Sequence, residues 1–184
     1  VITCGDYMNS LLVREPEGGV HLVKNCIDHE AFKPAPSRRV AGRVLGLTRK
    51  NPQDLARIKS LVKGEFEFRT VDGLTQAELI EEYQQADIFV ATGYPEGFGL
   101  PPLEAMACGA VVVGFTGKGA DEYMLHQQTA LVAEDGDVEA VYRHLMMLKK
   151  DEELREALRE NAYNVARSYS VGQTTAQLQF FIQK

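Results

Sequence analysis

With 184 residues, 45% of them hydrophobic and 25% charged, and a net charge of −6, the chain has the make-up of one globular domain of ordinary size. The acidic balance and the lack of a basic cluster exclude a nucleic-acid footprint, and neither a signal-peptide pattern nor an apolar run of roughly 18 residues marks a membrane segment. Cys4, Cys26 and Cys108 have no metal-ligand spacing and form no even disulfide framework, so a reducing, cytoplasmic setting is expected.

The chain starts at Val1, in mid-element and without an initiator Met, as a fragment of a longer protein would. Residues 1–36 read as the tail of an upstream domain plus a linker, with a short helix over Asp6 to Val13, a short strand over Val20 to Val23, and Pro34, Pro36 and Ser37 marking the linker. Residues 37–170 read as the main domain and 171–184 as a C-terminal helix. Residues 40–47 predict a first strand, and residues 48–52 turn into a helix that ends near Val62 and puts Leu55, Ile58 and Val62 on one face. Residues 65–69 alternate as a second strand, broken by Asp72-Gly73. Thr75, with Glu78 three residues on, forms a capping box for a helix that reaches Ala86 and buries Leu79, Ile80 and Tyr83.

Three further apolar runs, residues 88–91, 110–113 and 130–132, read as buried parallel strands. Helices follow at 138–149, 152–168 and 171 onward, and the charge run from Lys149 to Glu160 is a solvated helix face. Strands alternating with helices imply an α/β fold, a doubly wound, Rossmann-like parallel sheet of about five strands. Leu79, Ile88, Val90, Leu103, Met106, Val112, Leu131 and Leu145 are its expected core.

One stretch, from Thr92 to Gly109, organises the rest. It runs from a buried strand through a glycine-rich loop into a helix. Pro101 and Pro102 suit the first helical turn, and Gly109 suits the left-handed residue past its end. Gly97 and Gly99 let a ligand approach the backbone, and the N–H groups of Gly97, Phe98, Gly99 and Leu100 converge where the helix dipole adds about half a positive charge. That spot suits a phosphate or a sugar hydroxyl. Glu96 on the loop and Glu104 one turn into the helix accept hydrogen bonds only, which suits the hydroxyls of a hexose or a ribose. Ligands of such sheets sit outside the carboxyl ends of the strands, where strand order reverses. With the first strand in the interior of the sheet, the loop carrying Arg49 and Lys50 faces the glycine-rich loop, as a diphosphate requires.

The residues Glu96-Gly97-Phe98-Gly99-Leu100-Pro101, the Glu-x7-Glu spacing of Glu96 and Glu104, and Glu104-Ala105-Met106-Ala107-Cys108-Gly109 before an apolar strand resemble the signature of family 4 (group 1) retaining glycosyltransferases of GT-B fold. The resemblance is strong from about Thr75 to Val132. It implies the C-terminal, nucleotide-sugar-binding half of a two-domain enzyme that moves a hexosyl unit from a nucleotide diphosphate sugar to an acceptor with no metal and no cofactor. It also implies a missing N-terminal domain of the same chain, which supplies the acceptor site and peripheral membrane contact, so that this fragment alone binds but scarcely turns over. Asn25-Cys26-Ile27-Asp28 with Phe32 is similar to the family's interdomain Asn-Gly-Ile/Val-Asp segment, with Cys26 in place of Gly. Gly119-Ala120-Asp121-Glu122 resembles its Gly-x-x-Glu, whose backbone and Glu lie near the donor.

Two departures from the family pattern stand out. The strand–helix unit usual after the first is missing, and the Gly-Arg at the first strand end is either Gly42-Arg43 or replaced by Arg49; the strand reading of residues 44–47 favours Arg49. Asp135-Gly136-Asp137 has the look of a metal-binding Asp-x-Asp, but a helix cap at Asp137 explains it better, and His21, His29, His126 and His144 form no ligand pair. The competing reading is a degenerate, non-catalytic nucleotide-binding or scaffolding module.

Overall fold

The computed structural model describes residues 2–12 and 19–183; Val1, the Val13 end of the first expected helix and the Lys184 end of the last lie outside the described residues. The main sheet has five strands, β3 (Arg43–Leu47), β4 (Glu67–Val71), β5 (Ile88–Ala91), β6 (Val111–Gly114) and β7 (Ala130–Val132), in the order β4-β3-β5-β6-β7. Every pairing is parallel. Helices α2 (Pro52–Leu61), α3 (Gln76–Gln85), α4 (Leu100–Ala107), α5 (Val138–Lys150) and α6 (Glu152–Arg167) cover both faces, and α7 (Val171–Ile182) follows. The N-terminal segment adds a two-stranded parallel pair, β1 (Ile2–Thr3) with β2 (His21–Leu22), and the short helix α1 (Asp6–Ser10).

The strand side chains alternate between two cores, as the pleat demands. Leu45, Phe89 and Val112 join Tyr83, Leu103, Met106 and Ala162 on one face. Val44, Ile88, Val90, Val111 and Val113 join Leu55, Ile58, Val141, Leu145 and Leu148 on the other. Ile27 and Phe32 of the N-terminal segment are buried in the first of these cores. Seven of the eight expected core residues are fully buried; Leu79 is half-buried, because its helix face borders a cavity rather than a packed layer.

The elements start and stop for local reasons. The Thr75 hydroxyl accepts from the Glu78 N–H while Glu78 reaches back to the Thr75 N–H at 2.8 Å, the reciprocal capping box. Asp137, Asp151 and Ser170 cap α5, α6 and α7 in turn. β3 begins three residues later than expected: Gly42, at φ +74, turns the chain and donates to Asp87 Oδ2. β4 lies two residues further on than its alternation suggests, because pairing with β3 fixes Arg43 opposite Glu67 and Leu47 opposite Val71. In β3, Gly46 leaves no room for a side chain; Leu55 of α2 packs directly on its backbone.

At the amino end of the sheet a buried cation closes the structure. Arg159 of α6 donates to Asp87 Oδ1 at 2.6 Å and to the carbonyl oxygens of Asp87 and Gly109. It ties the start of β5 to the end of α4, leaving the carboxyl end for other uses.

Candidate functional site

Chain order reverses beside β3, which has β4 on one side and β5 on the other. The loop after β3, residues 48–51, therefore faces the loop after β5, residues 92–99. Asn51 holds the two together. It sits at φ 47 ahead of α2, and its side-chain amide donates to the carbonyls of Thr92 and Tyr94, both at 2.9 Å. Left-handed backbone is tolerated better by Asn than by most residues. The Tyr94 hydroxyl donates to Asp54 Oδ2 at 2.8 Å, a second tie from the same loop to α2.

A third loop, after β6, backs the second. Glu96 N–H donates to Gly117 O at 2.9 Å, and Gly117 N–H donates to Asp135 Oδ1 at 3.1 Å. A Cβ on Gly117, at φ +56, would come within 2.6 Å of Gly93 O, and one on Gly119 within 2.5 Å of Phe98 N. Two glycines thus let backbone lie on backbone where side chains would hold the loops apart. Gly99, at φ +82, caps α4 with no side-chain partner. Pro101 and Pro102 bring no N–H to the first turn, so the donors of this helix start are those of the glycine loop.

Two cavities open between these loops, one of about 50 Å³ and one of about 600 Å³. Arg49, Glu96, Gly99 and Pro101 line both. The larger continues past Phe98, Leu100 and Glu104 to a mostly apolar end at Val71, Leu74 and Leu79. The Lys50 ammonium lies 2.9 Å from Glu96 Oε2 and donates to Pro95 O at 3.0 Å. Glu96 folds back toward Gly93, where an added Cβ would meet its Oε1 at 2.7 Å. Glu104 accepts from the buried Tyr83 hydroxyl at 3.1 Å. Burial pushes the Glu104 carboxyl above the usual carboxylate range, while the Tyr83 hydrogen bond and the Arg49 charge pull it back.

The two arginines stand at opposite ends of β3. Arg43 stands at the amino end of β3, 2.7 Å from Glu67, and also donates to Gln85, so it faces away from the crevice. Arg49, at the carboxyl end, lines it.

Arg49, Lys50, Glu96, Gly99, Leu100, Phe98 and Glu104 are therefore brought together, with Gly97 between them on the loop. Gly119 supports the loop from behind. Glu122 lines neither of the two cavities: its side chain is 10% exposed, lies 2.5 Å from Lys24 Nζ and accepts from the Tyr169 hydroxyl. Asp137 caps α5. His126 accepts from Val132 N–H at 3.0 Å, with its ring 5.4 Å from that of His144. Cys108 is buried, and desolvation followed by the nearby Glu104 charge pushes its thiol up to about 12, an unreactive sulfur. Among the described residues no helix is long and apolar enough to cross a membrane.

Sequence reasoning missed Asn51, Tyr94 and Tyr83 as partners of the site. The Asn51-Pro52 pair at a helix start and the close run of Gly114, Gly117 and Gly119 were the available signals; for Tyr83 there was none, since it looks like any core aromatic.

Residues 39–165 match the family model described as glycosyl transferases group 1. The N-acetyl-alpha-D-glucosaminyl L-malate synthase of Bacillus anthracis is 35% identical over 100 residues, 52% of this chain and 26% of that relative. The O-antigen chain mannosyltransferase B of Escherichia coli is 35% identical over 95 residues, 52% of this chain and 24% of its own length. The matched stretch is thus about a quarter of either relative. Anabaena HepE, solved in complex with UDP and glucose, superposes with a TM-score of 0.83 at 17% identity, covering 100% of this chain and 62% of that one. The C-terminal domain of the group 1 glycosyl transferase LpcC from Francisella tularensis gives 0.67 at 21% identity, covering 79% of this chain and 99% of that one. These two share the fold of this chain, a parallel sheet flanked by helices. With the family model spanning most of its length, this chain belongs to the group 1 glycosyl transferases.

Proposed function

We propose that this chain is the donor-binding half of a retaining hexosyltransferase, which takes a nucleotide diphosphate sugar and passes the hexosyl unit to an acceptor held largely by an N-terminal domain of the same protein. The observation that carries the reading is the meeting of Arg49, Lys50 and the α4 start with two carboxylates, Glu96 and Glu104, along one crevice. When the bond from the anomeric carbon to the diphosphate breaks, the electron pair stays on the diphosphate. Lys50, Arg49 and the backbone donors of residues 97–100 stabilise that charge, without a metal. Glu96, at the loop, receives hexose hydroxyls. Glu104, deeper along α4, receives ribose hydroxyls, and the apolar end at Leu74 and Leu79 faces the base.

Residues 37–170 are the donor unit, and residues 1–36 lead in from the N-terminal domain, which also provides any contact with a membrane. Three free cysteines fit a cytoplasmic location. Gly119 serves the donor through the loop it supports, whereas Glu122, paired with Lys24 and the Tyr169 hydroxyl, ties the N-terminal segment to the domain. The test uses the full-length protein: a panel of nucleotide sugars by thermal shift, then analysis of the product's anomeric configuration. One donor should raise Tm and yield a product of unchanged configuration. A protein that binds none of the panel would be a degenerate module instead, and an inverted product would remove the retaining chemistry.

A further inference from the structure

We infer that the Lys50–Glu96 ion pair is a specificity device that keeps the sugar-facing carboxylate occupied until a diphosphate claims the lysine. The inference rests on the diphosphate reading above and adds to it an order of events. Both Glu96 oxygens are turned onto the protein: Oε2 takes the Lys50 ammonium at 2.9 Å, and Oε1 lies over Gly93. The pair is partly withdrawn from water, with Glu96 19% and Lys50 35% exposed, so its attraction is screened less than that of a surface pair. Lys50 has a second anchor in Pro95 O, on the same loop, which fixes the ammonium above the crevice.

A free monosaccharide or a nucleoside meets a carboxylate already in use. Neither carries a charge that competes for the ammonium. A diphosphate does. It offers several anionic oxygens to Lys50, and its own charge repels the Glu96 carboxylate, which then turns to hydroxyl donors in the crevice. The coupling is reciprocal: whatever releases Glu96 also frees Lys50 for phosphate.

Inorganic pyrophosphate, which carries the diphosphate without base or sugar, is the probe. Its affinity is measured by calorimetry on the full-length protein, on Lys50→Met, on Glu96→Gln and on the double variant. Removing the Glu96 charge should tighten pyrophosphate roughly two- to fivefold where Lys50 is present and clearly less in the Lys50→Met background, where only the repulsion is relieved. Crystals with pyrophosphate should show Lys50 Nζ and Glu96 Oε2 parted beyond about 4 Å, the ion-pair limit. Equal tightening in both backgrounds would reduce the effect to plain charge repulsion and overturn the device, as would no tightening at all or an intact pair beside bound pyrophosphate. Pyrophosphate that fails to bind the unaltered protein, or binds Lys50→Met equally well, would overturn the diphosphate reading itself.

Discussion

Tyr83, wholly buried under the crevice, donates its hydroxyl to Oε2 of Glu104 at 3.1 Å, so the deepest carboxylate of the site is held from below by a core aromatic. Burial still raises the Glu104 carboxyl. A raised folded value means that the folded state prefers the protonated form. The stability this contributes is complete below the unfolded value, about 4.3 for Glu, and is lost as pH rises through the folded one. Glu104→Gln should therefore raise Tm at pH 8 and make no difference near pH 4. Nucleoside diphosphate binding should run the other way in the unaltered protein, weakening as pH falls through the raised value, and be weak and flat with pH in Glu104→Gln. Thermal scans and calorimetry from pH 4 to 8 check both trends.

Lys50→Ala should weaken nucleoside diphosphate binding by about 1.5–3 kcal/mol, roughly one to two decades, through loss of a charge-assisted hydrogen bond. Nucleoside binding should stay nearly unchanged, because Lys50 stands at the small cavity and the apolar end of the large one lies elsewhere. Calorimetry with the two ligands separates the roles; equal loss for both would make Lys50 structural.

Glu96 and Glu104 should divide the donor between them. Glu96→Gln keeps one acceptor oxygen but adds donors that oppose a hydroxyl proton. Transfer should drop at least tenfold, about 1.4 kcal/mol, while affinity for the free nucleoside diphosphate does not fall. Glu104→Gln should weaken the nucleoside diphosphate itself and discriminate less between ribose and deoxyribose donors. The reverse pattern would exchange the two assignments.

Asn51 predicts a stability effect with an internal control. Asn51→Ala loses two hydrogen bonds, to Thr92 O and Tyr94 O, and puts a Cβ residue without a polar side chain at φ 47. The cost should be about 2–4 kcal/mol. Asn51→Gly loses the same bonds but not the backbone comfort, so it should fall short of the alanine loss by about 1 kcal/mol. Denaturant melts of the two variants give the comparison.

The sheet was legible because its signals are local. Apolar runs of strand length at 88–91 and 130–132 read directly, and the capping box at Thr75 and Glu78 needs only three residues of separation. The edge strand was misplaced by two residues because its outer side has no partner; what fixes it is Arg43 opposite Glu67 across the sheet. Glu96, Glu104 and the glycine loop stood out as a signature, whereas the choice between Arg43 and Arg49 turned on which end of a strand each occupies. Asn51 bridging to Thr92 and Lys50 to Glu96 join residues more than forty positions apart, and no spacing rule reaches that far.

Gly46 touches neither crevice loop nor cavity, yet it sets how widely the crevice can open. Leu55 rests on its bare backbone, so α2 rides as close to the sheet as a helix can. Arg49, Lys50 and Asn51 are carried at the head of that helix. Even a methyl group at position 46 would act as a shim under α2, and the cationic jaw would be lifted from its acidic counterpart without any change to the residues that meet there.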